Sequence, residues 1–93
     1  MHSFWLERVS TPVLHKMLDE LRANGNRVEP LMLVPAAGTE NHIVQGSGVT
    51  AQVVYDPIRM QALVTITDKP ILVSYSYIEG KVRESLRVAS GAV

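Results

Sequence analysis

Between Val49 and Tyr77 the chain alternates residue by residue in three successive runs, and this period of two constrains the fold more than any other feature. The runs are Val49, Ala51, Val53, Tyr55; then Met60, Ala62, Val64, Ile66; then Ile71, Val73, Tyr75, Tyr77. Asp56-Pro57-Ile58-Arg59 separates the first two, with Asp and Pro where a β-turn wants them, and Asp68-Lys69 separates the second two. Closing the first turn over 56–59 pairs Tyr55 with Met60, Val53 with Ala62, Ala51 with Val64 and Val49 with Ile66. Closing the second over 68–69 pairs Ile66 with Ile71, Val64 with Val73, Ala62 with Tyr75 and Met60 with Tyr77. Both closures keep the apolar residues on one face, whereas a slip of one residue would invert a whole strand.

The continuation, LVSYSYIEGKVRESLRV from Leu72 to Val88, reads in two ways. With Glu79-Gly80 as a two-residue turn, Tyr77 meets Val82, Tyr75 meets Glu84, Val73 meets Leu86 and Ile71 meets Val88. Alternatively Val82, Leu86 and Ala89 form a helical stripe in a stretch of good helix propensity. Gly at the second turn position favours the hairpin. The expected fold is therefore α+β: an N-terminal helix packed on one face of an antiparallel β-meander of about four strands from residue 49 to 88. A C-terminal helix in place of the last strand is the alternative.

The helix is written in STPVLHKMLDELRANG. Ser10 or Thr11 can cap it, Pro12 suits its first turn, and Gly25 permits a left-handed exit. Leu14, Met17, Leu18 and Leu21 form one apolar stripe at helical spacing. Ahead of it, residues 4–9 suit a short strand. After it, Leu31 to Val34 suits a strand, 35–41 a loop, His42 to Gln45 a short strand and Gly46-Ser47-Gly48 a turn. Pro30 argues against a central sheet position before Leu31. The strand–helix–meander order resembles that of the cystatins. Their Gln-x-Val-x-Gly hairpin is not met by Gln52-Val53-Val54-Tyr55-Asp56, a later Pro-Trp is missing, and the strand near 28–34 is extra. The resemblance is one of topology and implies no function.

At 93 residues the chain suits one domain, 1–93, with an aliphatic core, since only 5% of it is aromatic. No cysteine is present, which excludes disulfides, thiolate nucleophiles and Cys-bound zinc. The sequence MHSFWLERV has no basic, apolar leader pattern, and no apolar run approaches the ~20 residues of a membrane helix. These features favour a soluble, cytoplasmic protein without membrane partners. Nine basic and nine acidic residues cancel, which argues against a dedicated nucleic-acid binder.

Chemistry has few candidates. Glu84, placed by the hairpin on the apolar face beside Tyr75, would be a desolvated carboxylate of raised pKa and the one weak catalytic candidate. An inward charge on an edge strand is equally a device against aggregation. Tyr75, Tyr77, Met60 and Glu84 could line a ligand pocket between helix and sheet, although inner-face tyrosines more often serve as core. His2, His15 and His42 have no metal-ligand spacing, Gly46-Ser47-Gly48 lacks the features of a phosphate loop, and no cofactor is expected. Lys81, Arg83 and Arg87 would form a basic stripe on the last strand, able to meet an anion or acidic partner. The outer sheet face mixes Val54, Leu63, Leu72 and Ile78 with Thr and Gln, which suits an interface with a second copy. The sequence thus favours a non-catalytic, homodimeric interaction domain, with a small-molecule-binding protein or small enzyme around Tyr75/Glu84 as the alternative.

Overall fold

The computed structural model describes residues 1–31 and 38–91. Among the described residues seven elements succeed one another: β1 (His2–Leu6), α1 (Thr11–Ala23), β2 (Arg27–Pro30), β3 (Glu40–Gly46), β4 (Val49–Asp56), β5 (Gln61–Asp68) and α2 (Tyr75–Ala89). The strands form one five-stranded sheet of order β1-β5-β4-β3-β2, antiparallel at every pairing. The α+β class and the N-terminal helix on the sheet are as the sequence implies. The sheet has five strands, and the C-terminal helix is the alternative realised.

The hairpin expected over 71–88 fails at the edge of β5. Antiparallel pairing gives each strand two edges; β4 occupies one edge of β5 and β1 the other, with Phe4 opposite Val64 and Leu6 opposite Ala62. A strand at 71–77 would compete with β1 for the same row of backbone groups. The chain leaves the sheet after Asp68 instead and winds into α2. Ser74 caps that helix, its hydroxyl accepting from the Tyr77 amide at 3.1 Å. Ile78, Val82, Ser85 and Ala89 form its buried stripe, while Glu79–Arg83 and Glu84–Arg87 pair along its exposed flank.

The first helix forms as written. Ser10 caps it by accepting from the Val13 amide, and Leu14, Met17, Leu18 and Leu21 are its buried residues. Both helices cover the same sheet face, where Phe4, Leu6, Ala51, Val53, Tyr55, Ala62, Val64 and Ile66 join their stripes in one cluster. The helices run in opposite directions. Helix α1 starts beside Tyr55, to which Thr11 Oγ1 approaches at 3.4 Å, and ends near Val28. Helix α2 starts at the His2 end of β1 and climbs until Arg83 donates to the Trp5 carbonyl at 3.3 Å.

The β4–β5 register sits two residues from the expected one, with Tyr55 opposite Ala62 and Val53 opposite Val64. An even shift keeps the same face inward. Its cause is the loop: Asp56 Oδ1 accepts from the amides of Ile58 and Arg59, and Met60 takes a left-handed φ of 54° instead of joining β5. A strand not expected from the sequence, Arg27–Pro30, lies on the sheet edge where Pro30 is tolerated; residues 32–34 of the strand expected over 31–34, and 35–37 of the expected loop, lie outside the described residues. The turn at 46–48 is as expected: Gly46 pairs with Val49, and Ser47 and Gly48 both have positive φ, 52° and 79°. Two positive φ values are the mark of a type I′ hairpin, whose twist matches that of the strands.

No helix among the described residues is long and apolar enough to cross a membrane.

Candidate functional site

Because both helices lie on one face, the other face of the sheet has no layer over it among the described residues. The alternation that buries Phe4, Val64 and Val53 turns Trp5, Leu63 and Val54 outward. These three come from adjacent strands at one height, Trp5 opposite Leu63 and Leu63 opposite Val54, so they form a continuous apolar row. Asn41 extends the row on β3, and the next row carries Ser3, Thr65, Gln52 and Ile43. Trp5 remains 51% exposed. Charges stand at the margins, where Arg27 pairs with Glu29 at 2.7 Å and Gln61 binds Glu7 at 2.6 Å.

On the covered face the two helices leave a cleft of about 480 Å³ at the β3–β4 hairpin end. Val44, Val49 and Ala51 form its floor, Leu21 and Asn24 from the end of α1 one wall, and Tyr77, Ile78, Lys81 and Val82 of α2 the other. The small side chain of Ala51 and the early end of α1 at Ala23 leave this space unfilled. At its rim Glu84 is bonded to Arg87 at 2.9 Å. That hydrogen bond holds the Glu84 carboxyl below its ordinary pKa, against a smaller opposing effect of burial.

A third cluster ties α1 to β3. Glu40 receives His15 Nε2 at 3.0 Å and His42 Nε2 at 3.0 Å. Burial works against ionisation of Glu40, but the hydrogen bonds and the electrostatic pull of the two imidazoles prevail, and its pKa is lowered. His42 Nδ1 and, on the outer face, Asn41 Oδ1 are buried without a hydrogen-bond partner among the described residues. Each imidazole directs its Nε2 at the carboxylate itself. Among the described residues no group of three His, Asp or Glu side chains is placed to hold a metal ion.

The residues singled out from sequence are dispersed. Glu84 does not face inward beside Tyr75: both lie on α2, nine positions or about 13 Å of helix apart, and Glu84 is an exposed ion-pair partner of lowered pKa. A carboxylate that the hairpin would have buried is solvated because the segment is helical. Tyr75 stacks on His2 with ring centroids 5.0 Å apart, and Lys69 lies 4.9 Å from its ring centre. Met60 sits in the β4–β5 loop, at the opposite end of the sheet from the cleft. Of the expected pocket residues, Tyr77 and Glu84 alone line the cleft.

The interface set divides likewise. Leu63 and Val54 do share the outer face, but Leu72 lies in the β5–α2 loop, 98% exposed, and Ile78 is a core residue of α2, 7% exposed. Lys81, Arg83 and Arg87 are not a strand stripe. On the helix Lys81 lies over Tyr77, Arg83 bonds Glu79, and Arg87 bonds Glu84. Sequence reasoning missed Trp5 as the end of the outer apolar row. Its alternation with Phe4 and Leu6 was the available signal, but nothing in the sequence announced that β1 pairs with β5.

No protein-family model, no curated protein and no solved structure matches the chain.

Proposed function

We propose that this protein is a small non-catalytic binding domain that self-associates through the open face of its sheet. The observation that carries the reading is the lateral row Trp5–Leu63–Val54 on a face without a second layer. Sheets are stable when both faces find a neighbour or when the free face is polar; this row is not polar, and no layer covers it among the described residues. Strand spacing and rise make the face about 24 Å wide and ~22 Å long, roughly 500 Å² per copy. The pair would bury roughly 1,000 Å², at the lower bound of specific interfaces, so a reversible dimer of micromolar affinity is the expected form.

A two-fold axis running along the strands, midway between β5 and β4, lays Leu63 of each copy on Val54 of the other. The same operation carries each Trp5 over β3 of the second copy, onto Asn41 at the end of the row. The marginal charges stay at the rim, where they remain hydrated.

Trp5 is the single tryptophan of the chain, so it reports on this face alone. Its emission should shift to the blue as concentration rises, and Leu63→Lys should hold it at the solvated wavelength at every concentration. A Trp5 spectrum independent of concentration in the unmodified protein would count decisively against the reading.

A further inference from the structure

The cleft between the helices lies on the opposite face of the sheet from the row Trp5–Leu63–Val54, so a ligand there neither requires self-association nor competes with it. Its size falls within the range of small-molecule sites, and its floor of Val44, Val49 and Ala51 offers no hydrogen bond from a side chain. Most polar groups stand around the rim, from Asn24, Ser47, Lys81 and Glu84 among others, and the buried Ser85 hydroxyl is engaged in donating to the Lys81 carbonyl at 3.2 Å. An occupant must therefore be apolar in its body and polar at one end.

The charges of the rim select the sign of that end. Glu84 is already neutralised by Arg87 at 2.9 Å. Lys81 forms no direct ion pair among the described residues, its attraction to Glu84 acting at longer range; its ammonium lies 5.5 Å from the centre of the Tyr77 ring, at the lip of the same cleft. An ammonium held over an aromatic face at an apolar opening is a receptor for an anion whose tail enters the opening. Apolar cover is also lacking nearby. Val73 lines the cleft, and the two residues before it, Ile71 and Leu72, are 94% and 98% exposed.

We propose that this cleft binds an amphiphilic monoanion, an unbranched aliphatic chain ending in a carboxylate, with the chain over Val49 and Ala51 and the carboxylate on Lys81. Lys81 is the specificity-determining residue. It selects the head group, while the floor selects the chain.

The test is an amide NMR titration of the full chain with decanoate, decanol and decyltrimethylammonium, each below its aggregation threshold. Decanoate should give saturable shifts confined to Val44, Val49, Ala51, Lys81 and Val82, and should bind at least tenfold tighter than the cation. Lys81→Gln, an exposed change that leaves the core intact, should abolish that preference and leave decanol binding unchanged. Saturable shifts elsewhere, or none with any of the three, would overturn the site. Equal affinity for anion and cation, or a preference that survives Lys81→Gln, would overturn the role of Lys81. Running the series on Leu63→Lys as well separates the two proposals: a monomeric variant that binds decanoate keeps the cleft whatever becomes of the dimer.

Discussion

Replacing Tyr55 with Phe removes a single oxygen from the interior and should cost about 1–2 kcal/mol of stability. The hydroxyl donates to the Val9 carbonyl at 2.7 Å, and the residue is 0% exposed. That bond lies where the chain crosses from β1 to α1. Arg8 there has a left-handed φ of 57°, and the Val9 amide donates to the Met60 carbonyl at 2.8 Å. Val9 is thus held at its amide by the β4–β5 loop and at its carbonyl by Tyr55. A neutral buried hydrogen bond contributes about 1 kcal/mol, and a carbonyl left dry without its donor adds roughly another. For a domain of this size the loss should lower Tm by roughly 5–15 °C. Urea unfolding at equilibrium gives the same quantity independently, with an unchanged slope. Tyr77→Phe is the internal control, because Tyr77 is 60% exposed and its removal should stay within about 0.5 kcal/mol. If Tyr55→Phe were as neutral as Tyr77→Phe, the clamp on Val9 would contribute nothing and the reasoning would be wrong.

Local geometry sets four further expectations. Ser47→Asn should stabilise the protein by about 0.5 kcal/mol in thermal melts, since Asn tolerates the left-handed φ of 52° better than Ser. Gly48→Ala should destabilise it by about 1 kcal/mol or more, because a Cβ there meets a φ of +79° and Pro70 Cγ at 3.0 Å. Ser74→Ala should cost about 1 kcal/mol by uncapping α2, and circular dichroism at moderate urea should show the helical signal lost first there. Glu40 has its pKa lowered by folding, so its carboxylate contributes stability that is full above its ordinary value of 4.5 and is lost as pH falls through the depressed folded value. Urea titrations across that acid range should show a shallower loss of stability in Glu40→Gln than in the parent.

What the sequence made legible was whatever local chemistry decides. The stripe Leu14/Met17/Leu18/Leu21 with Ser10 and Gly25 specifies α1 at both ends, and the alternation over 49–66 specifies two strands and their inward face. The register error at Tyr55 changed no face, because the shift was even, and it came from Met60, a residue of strand-like pattern held in a loop by Asp56. What the sequence hid was a competition between distant segments. Residues 71–77 alternate as well as β1 does, and both could pair with β5; β1 holds the edge, and the capped, ion-paired helix takes the rest. That outcome decides the candidate site too. It moves Glu84 from a buried partner of Tyr75 to the rim of the cleft, places Ile78 in the core, and sets Trp5 in the outer row beside Leu63.

The central claim, association through the row Trp5–Leu63–Val54, is tested most directly by the mass of the protein in solution. Sedimentation equilibrium from low micromolar to near-millimolar concentration should show the 10.3 kDa chain passing reversibly to twice that mass. The Leu63→Lys variant, folded by circular dichroism, should stay at the monomer mass throughout. A parent protein that remains monomeric over the whole range, or a variant that dimerises as the parent does, would contradict the account.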